Sequence, residues 1–368
     1  MSPSTLCIIV NYKTASLAVG AVQSVRDSES LGPVKIVVVD NSEDKEEARK
    51  LRDLLPKDVS LVINGRNVGF GCACNQALRH AGSDYVLLLN PDARLLPGAL
   101  KALQEIICSR SDCGAVGPQA FLDEGLTHFL PPSCPPWIFY VKEICRGLRH
   151  GSVFVQILTR AWRAFALKVW TAIRPVSVPN LSGGHVLLRR AAVRRMGGVL
   201  FDPSFFLYFE DTDLFLRMRR GGFRLFHVPG AKVVHPFGQA ARKNPMHNQY
   251  MAESWERFIN KNLLGWRRRI WEAINALKPM VKGREEIPAC EFMQGLGPMR
   301  VPNRLEDQWL FEWGPNPDFI PAIGTFGRGP NVSIPPVSDG ALCPGTYYGR
   351  FSRPTRLSTH EGVMQWQM

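Results

Sequence analysis

VKIVVVD (Val34–Asp40) decides the fold. The residues Ile36–Val39 are apolar without alternation and run straight into a carboxylate. That pattern belongs to a strand buried on both faces, as in a parallel sheet. A charged helical pattern follows over Glu43–Leu55. The same strand-then-helix pairing recurs on either side. LCIIV (Leu6–Val10) precedes a helical pattern over Ser16–Val25. VSLVIN (Val59–Asn64) precedes one near Cys72–Ala81, and YVLLLN (Tyr85–Asn90) precedes one over Gly98–Ile107. GAVGP (Gly114–Pro118) reads as a short fifth strand. The repetition predicts an α/β fold, a Rossmann-like, mostly parallel sheet flanked by helices. Ligands of such sheets bind at the carboxyl ends of the strands. Asn11, Asp40, Asn41, Asn64, Asn90 and Asp92 stand there.

Composition narrows the partner. The 368 residues carry a formal net charge of +13, which points to an anionic partner: nucleic acid, a phosphorylated substrate or an acidic membrane surface. The nine cysteines form no paired CxxC spacing suited to zinc and fit a reducing cytosol. Met1–Tyr12 is too short and too quickly polar for a signal peptide. No apolar run approaches the ~18 residues of a spanning helix.

The chain then changes character. Trp137–Val178 holds seven Lys or Arg against one Glu, interleaved with aromatics. It reads either as an interfacial amphipathic helix or as an ordinary helix with its aromatics inward. α/β character resumes at Asn180. FRLFHV and AKVVHP are expected as two short strands around a Pro229–Gly230 turn. Tyr250–Leu277 is a long amphipathic pattern with WRRRIW at its centre, a second candidate for acidic lipid. The expected organisation is one domain over residues 1–277 with 137–178 as a basic insertion. A linker over 278–301 and a Pro/Gly-rich, β-rich module over 302–368 follow.

Five constellations carry chemistry. In VVVDNSE (Val37–Glu43), Asp40 suits a base N–H or ribose hydroxyl, or Ser42 caps the next helix. In NGRNVGFGCACNQAL (Asn64–Leu78), Gly69 and Gly71 allow close backbone approach. No GxGxxG or P-loop is present. LLLNPDA (Leu87–Ala93) presents Asp92, which suits a hard divalent cation bridging phosphates, or forms an Asx turn. FFLYFEDTDLFLRMRRGG (Phe205–Gly222) sets Glu210, Asp211 and Asp213 after an apolar run. Asp211 is either a functional carboxylate or a helix N-cap, and Asp213 pairs with Arg217 four residues on. His235 in VVHP is a metal or phosphate ligand or a structural turn histidine.

In this order the motifs, together with NLSGGHVLLRR, resemble family 2 glycosyltransferases of the GT-A fold, most closely the rhamnosyltransferase-type branch, over Thr5–His247. NPD stands where other members carry a DxD triad, so only Asp92 carries over as the metal-associated carboxylate. The resemblance implies that Val10, Asn11 and Tyr12 line a base pocket with Asp40. Asn67, Gly69 and Phe70 border the nucleotide, Asn75 faces the sugar, and Gly183 and Gly184 lie beside donor and acceptor. Asp211 is implied as catalytic base with Glu210 beside it. Asp92 and His235 are implied to hold Mg²⁺ or Mn²⁺ on the diphosphate. The expected reaction is inverting transfer from a nucleotide sugar such as dTDP-rhamnose to a lipid-linked or growing polysaccharide acceptor. The expected place is the cytoplasmic face of an anionic membrane, with no nucleic-acid partner. A sugar-1-phosphate nucleotidyltransferase and a non-catalytic glycan- or nucleic-acid-binding protein are the competing readings.

Overall fold

The computed structural model describes residues 2–145, 153–236, 246–277, 291–293, 298–334, 345–355 and 360–367. The chain forms two compact units. Met1–Ala120 with Ala172–Lys261 make one, and Phe121–Thr171 with Asn262–Met368 make the other. This division does not follow the composition shifts of the sequence, because the basic segment groups with the C-terminal strands. Most of the expected 278–301 linker lies outside the described residues.

In chain order the elements are β1 (Thr5–Asn11), α1 (Ala15–Asp27), β2 (Val34–Asp40), α2 (Lys45–Leu54), β3 (Ser60–Ile63), α3 (Phe70–Ala77), β4 (Tyr85–Leu89), β5 (Arg94–Leu95), α4 (Ala99–Ser109) and β6 (Cys113–Phe121). After them come β7 (His128–Phe129), α5 (Pro136–Cys145), α6 (Val153–Trp170), β8 (Val176–Val178), β9 (His185–Arg189), α7 (Arg190–Arg195), α8 (Glu210–Arg220) and β10 (Arg224–Val234). The remainder holds α9 (His247–Asn262), α10 (Trp266–Leu277), β11 (Glu291–Met293), β12 (Met299–Arg300), β13 (Trp309–Gly314), β14 (Ile323–Gly327), β15 (Asn331–Val332), β16 (Thr346–Ser352) and β17 (His360–Gln367).

The first unit carries strands in the order β3–β2–β1–β4–β9–β6. β3, β2, β1 and β4 run parallel, as the repeated strand-helix pattern predicts. α2 is capped by Asp44, whose carboxylate accepts from the Glu46 and Glu47 N–H groups, not by Ser42. The fifth strand departs from expectation. β6 is nine residues long and does not lie beside β4. β9 inserts between them antiparallel, pairing Leu89 with His185 and Val116 with Leu187. Its apolar HVLLR run fills a slot buried on both faces, and its amino end is thereby set at the carboxyl end of β4.

FRLFHV and AKVVHP are one strand, not two. Leu225–His227 pairs with β8 and Val233–Val234 with β5. Different neighbours hold the two halves of β10, so Pro229 and Gly230 pass without a reversal. The pairing of Val234 with Arg94 carries His235 to the loop after β4.

In the second unit β11–β17–β16–β13–β14–β7 follow one another, which makes the C-terminal region β-rich as its aromatic runs predict. α5 and α6 bury Ile138, Leu158, Trp162 and Trp170 against Leu310 and Ile320. The aromatics of this basic segment therefore largely face inward. No described helix is long and apolar enough to cross a membrane.

A buried charge cluster lies in this unit. Arg350 donates from Nε and Nη2 to the two oxygens of Glu312 at 2.9 and 3.1 Å, and Arg163 Nε stands 3.4 Å from Glu312 Oε2. All three are buried, and burial lowers the Arg163 pKa. Two guanidiniums sharing one carboxylate depend on it for their only buried negative charge among the described partners. Glu312→Gln is expected to cost about 3–5 kcal/mol, read as a fall in the denaturation midpoint of the second unit.

Candidate active site

At the carboxyl ends of β1 and β2, Asp40 and Asn11 are buried in one network. Ser42 Oγ–H donates to Asp40 Oδ1 at 2.5 Å, and Asn11 Nδ2 donates to the same oxygen at 2.9 Å and to Ser42 Oγ at 3.1 Å. The Lys13 N–H donates to Ser42 Oγ at 2.8 Å. Asp40 Oδ1 is thus engaged within the protein, and Val10 is buried behind it. Tyr12 is the partly exposed side chain here, its ring 5.4 Å from the Lys13 ammonium. Ser42, expected only as a cap, is the hub of this knot.

The motif around Asn67–Asn75 braces a loop. Gly69 has φ +83°, and a Cβ there would lie 2.5 Å from the Phe206 carbonyl oxygen. Glycine is needed because two backbones touch at that point. The Phe70 N–H donates to the Phe206 oxygen at 3.1 Å, and Asn67 Oδ1 accepts from the Gly69 N–H at 3.0 Å. Asn75, expected to face the sugar, spends its amide on backbone. Its Nδ2 donates to the Phe201 oxygen at 2.7 Å, and its Oδ1 accepts from the Leu200 and Phe201 N–H groups at 3.1 Å. A primary amide that satisfies the N–H and C=O groups of two adjacent loop residues in this way is a loop clamp.

The clamped loop leads to the carboxylates. Tyr208 and Phe209 both adopt left-handed backbone, φ 71° and 62°, a conformation costing about 1–3 kcal/mol that surrounding contacts must hold. α9 supplies those contacts. Ser254 Oγ–H donates to the Leu207 oxygen at 2.7 Å. Tyr208 hydrogen-bonds His247, and the Phe209 ring packs against Trp255 and Phe258 at 5.3 and 5.6 Å. Lys261 bridges Asp202 and Asp213 at 2.6 and 2.8 Å. None of these partners stood out in the sequence; a helix with a polar residue every third or fourth position was their only trace.

Phe209 is the N-cap of α8, so Asp211 is its second residue, not its cap. Asp211 Oδ2 accepts from the Gly183 N–H at 3.0 Å, and Oδ1 accepts from the Thr212 N–H and hydroxyl at 2.6 and 3.2 Å. Burial raises the Asp211 pKa against these bonds. Glu210 is the more perturbed group. Burial first, then the Asp211 charge, push it up to about 8. Burial and the like charge together leave Glu210 protonated near neutral pH. Asp213 pairs with Arg217 at 2.8 Å, as the i,i+4 spacing predicts.

The two carboxylate regions meet through SGG. A Cβ on Gly183 would lie 2.9 Å from the Asp211 Cβ. The next residue, Gly184, offers its carbonyl to the Asn90 N–H at 2.7 Å. Two residues beyond Asn90, the Asp92 carboxylate lies 3.1 Å from His235 Nε2, both buried. The His185 ring meets His235 edge-on at 5.4 Å, and burial depresses the His185 pKa to about 3. The structure thus brings Asp211, Glu210, Gly183, Gly184, Asn90, Asp92 and His235 together. It sets Asn11 and Asp40 in a separate knot at the ends of β1 and β2. Among the described residues no group of three or more His, Cys, Asp or Glu side chains could hold a metal ion.

Residues 6–168 match the family model described as glycosyl transferase family 2. Over those residues the chain is similar to that family, and its first unit carries a sheet with four parallel strands, with a β-rich region toward its C-terminus. It is similar to the N-acetylglucosaminyl-diphospho-decaprenol L-rhamnosyltransferase of Mycobacterium tuberculosis, 28% identical over 228 residues that cover 58% of this chain and 70% of that protein. It is also similar to the Escherichia coli rhamnosyltransferase WbbL, 26% identical over 55% of this chain and 72% of that one. Among solved structures, a mannosyltransferase from Pyrobaculum calidifontis in complex with GDP-Man and Mn²⁺ aligns with a TM-score of 0.45 at 16% identity, over 77% of this chain and 72% of that one.

Glu210 makes the pH dependence of stability testable. Its folded pKa of about 8 exceeds its ordinary 4.5. Between those values the folded state holds more proton than the unfolded one, so stability falls as pH rises through that window. Glu210→Gln keeps the neutral shape and removes the cost of ionising the group. Its melting temperature should match wild type near pH 5 and exceed it by several degrees near pH 9, measured by thermal melts across that range.

Proposed function

We propose that the chain transfers a sugar, rhamnose by its kinship, from a nucleoside-diphosphate donor to a lipid-linked or growing polysaccharide acceptor in cell-surface glycan synthesis, with inversion at the anomeric carbon. The observation that carries this reading is the chain of contacts from Asp211 through Gly183, Gly184 and Asn90 to Asp92 and His235 at one end of the sheet. In this reading the base at the start of α8 and the diphosphate-facing carboxylate after β4 come from separate elements, one serving the acceptor and the other the donor.

In this reading Asp211 accepts the proton of the acceptor hydroxyl as its oxygen attacks the anomeric carbon. The bond from that carbon to the diphosphate oxygen breaks in the same step. The electron pair leaves with the nucleoside diphosphate, and the proton resides on the Asp211 carboxylate. The Gly183 N–H and the Thr212 side chain fix which lone pairs face the acceptor. Glu210, protonated near neutral pH, keeps a second negative charge away from the departing diphosphate. The raised Asp211 pKa makes it a stronger base than an exposed aspartate.

Asp92 and His235 fit a divalent cation carried by the donor. Cis ligands of an octahedral ion with bonds of about 2.1 Å stand about 3 Å apart, and these two atoms are 3.1 Å apart. Diphosphate oxygens and water would complete the shell, as is usual for Mg²⁺. A bound cation supplies charge neutralisation on the leaving group.

A panel of nucleotide sugars with Mg²⁺ or Mn²⁺, read by thermal shift and product formation, tests the proposal. Asp211→Asn should lower turnover by at least about 10²-fold while donor binding stays within about twofold. Undiminished turnover would remove Asp211 as the base. Absence of binding by every nucleotide sugar would remove the donor reading.

A further inference from the structure

We propose that the outer side of α5, α6 and α10, in the second unit, is a docking surface for an anionic lipid bilayer. The inference rests on the glycosyltransferase reading only for its purpose, delivery of the enzyme to a lipid-borne acceptor; its observations belong to the second unit alone.

Exposed apolar residues scattered singly are ordinary on a protein surface, but here they are gathered. Among the described residues of this unit, the exposed large apolar side chains are Trp137, Val153, Phe154, Ile157, Leu264, Trp266 and Ile270. All lie on these helices or in the turn entering α10, and none on the strands. Phe154 and Trp266 are 68% and 67% exposed. The edge contact of Tyr140 with Trp271 ties α5 to α10, and α5 packs on α6 through the core around Ile138 and Trp162. The three helices therefore adjoin one another, and α5 and α6 bury their inner side in the core of the unit.

The outer stripe of α6 decides the partner. Val153, Ile157, Arg160, Ala164 and Lys168 recur every three or four residues and are all exposed, with Phe154 alongside. The stripe begins apolar and continues basic, and α6 holds no acidic residue at all. On α10 the exposed Trp266 and Ile270 flank Arg269, while Glu272 is paired with Arg268. A protein partner would be expected to cover such an apolar set with apolar atoms throughout. Apolar and tryptophan side chains beside cations with no ion pair to a described residue instead match the acyl and anionic headgroup layers of a bilayer surface.

The test is co-sedimentation of the full chain with vesicles of phosphatidylcholine alone and of phosphatidylcholine with phosphatidylglycerol. Wild type should partition onto the anionic vesicles only, and less as salt rises. Two variants separate the contributions: F154S/I157S/W266S should lose about tenfold or more of the partitioning, and R160E/K168E about tenfold or more. Both alter exposed side chains, so wild-type melting curves and nucleotide-sugar binding are expected. Asp211→Asn should bind vesicles like wild type, which separates failure here from failure of the catalytic reading. Wild type remaining in the supernatant, or both variants partitioning like wild type, would overturn the proposal. So would a wild-type oligomer in sedimentation equilibrium that the apolar variant dissolves, since the surface would then join copies of the chain.

Discussion

The Gly183 N–H bond to Asp211 is the contact on which the site depends. It forms because β9 enters the sheet antiparallel to β4, which sets the turn before His185 at the end of the strand that leads to Asp92. An acidic side chain near the start of α8 is favoured by the helix dipole, yet here its oxygens are also fixed by neighbours. Only a residue without a side chain lets the α8 carboxylate come that close to the turn. Sheet order, turn and carboxylate are thus one arrangement.

Around that contact the protein invests in rigidity. Asn75, Gly69 and Phe70 hold the loop from one side, and Ser254, Trp255, Phe258 and Lys261 from the other. Two consecutive left-handed residues precede the carboxylates. Such backbone persists only where several independent contacts determine it. The result is an ionisable pair whose members differ in environment. Glu210 is sealed and kept neutral, while Asp211 is partly exposed and hydrogen-bonded. Separation of two adjacent carboxylates into distinct protonation states is how one fold obtains a charged group and a neutral one at the same pH.

Much of this was legible in the residues. Unbroken apolar runs ending in Asp40 and Asn90 specify buried parallel strands, because only a sheet covered on both faces accepts them. The Asp213–Arg217 pair followed from helical spacing. What was not legible depended on long-range pairing. HVLLR looks the same whether its strand runs parallel or antiparallel, so the place of Gly183 beside Asp211 could not be read from it. FRLFHV and AKVVHP looked like a hairpin because Pro-Gly is a local signal, whereas their continuity is imposed by β5 and β8. Asn75 gave no sign of its duty, since an amide on a helix serves a sugar or a backbone equally well. In the basic aromatic segment the residue types were informative but their directions were not. Trp162 and Trp170 turn inward and Phe154 outward on one helix.

The central claim is a single displacement with Asp211 as base, and the anomeric configuration of the product tests it most directly. Proton NMR of the first glycoside formed, recorded before any equilibration, should show the configuration opposite to that of the donor sugar. Retention of the donor configuration would contradict the account, because a single displacement by the acceptor oxygen inverts the anomeric carbon.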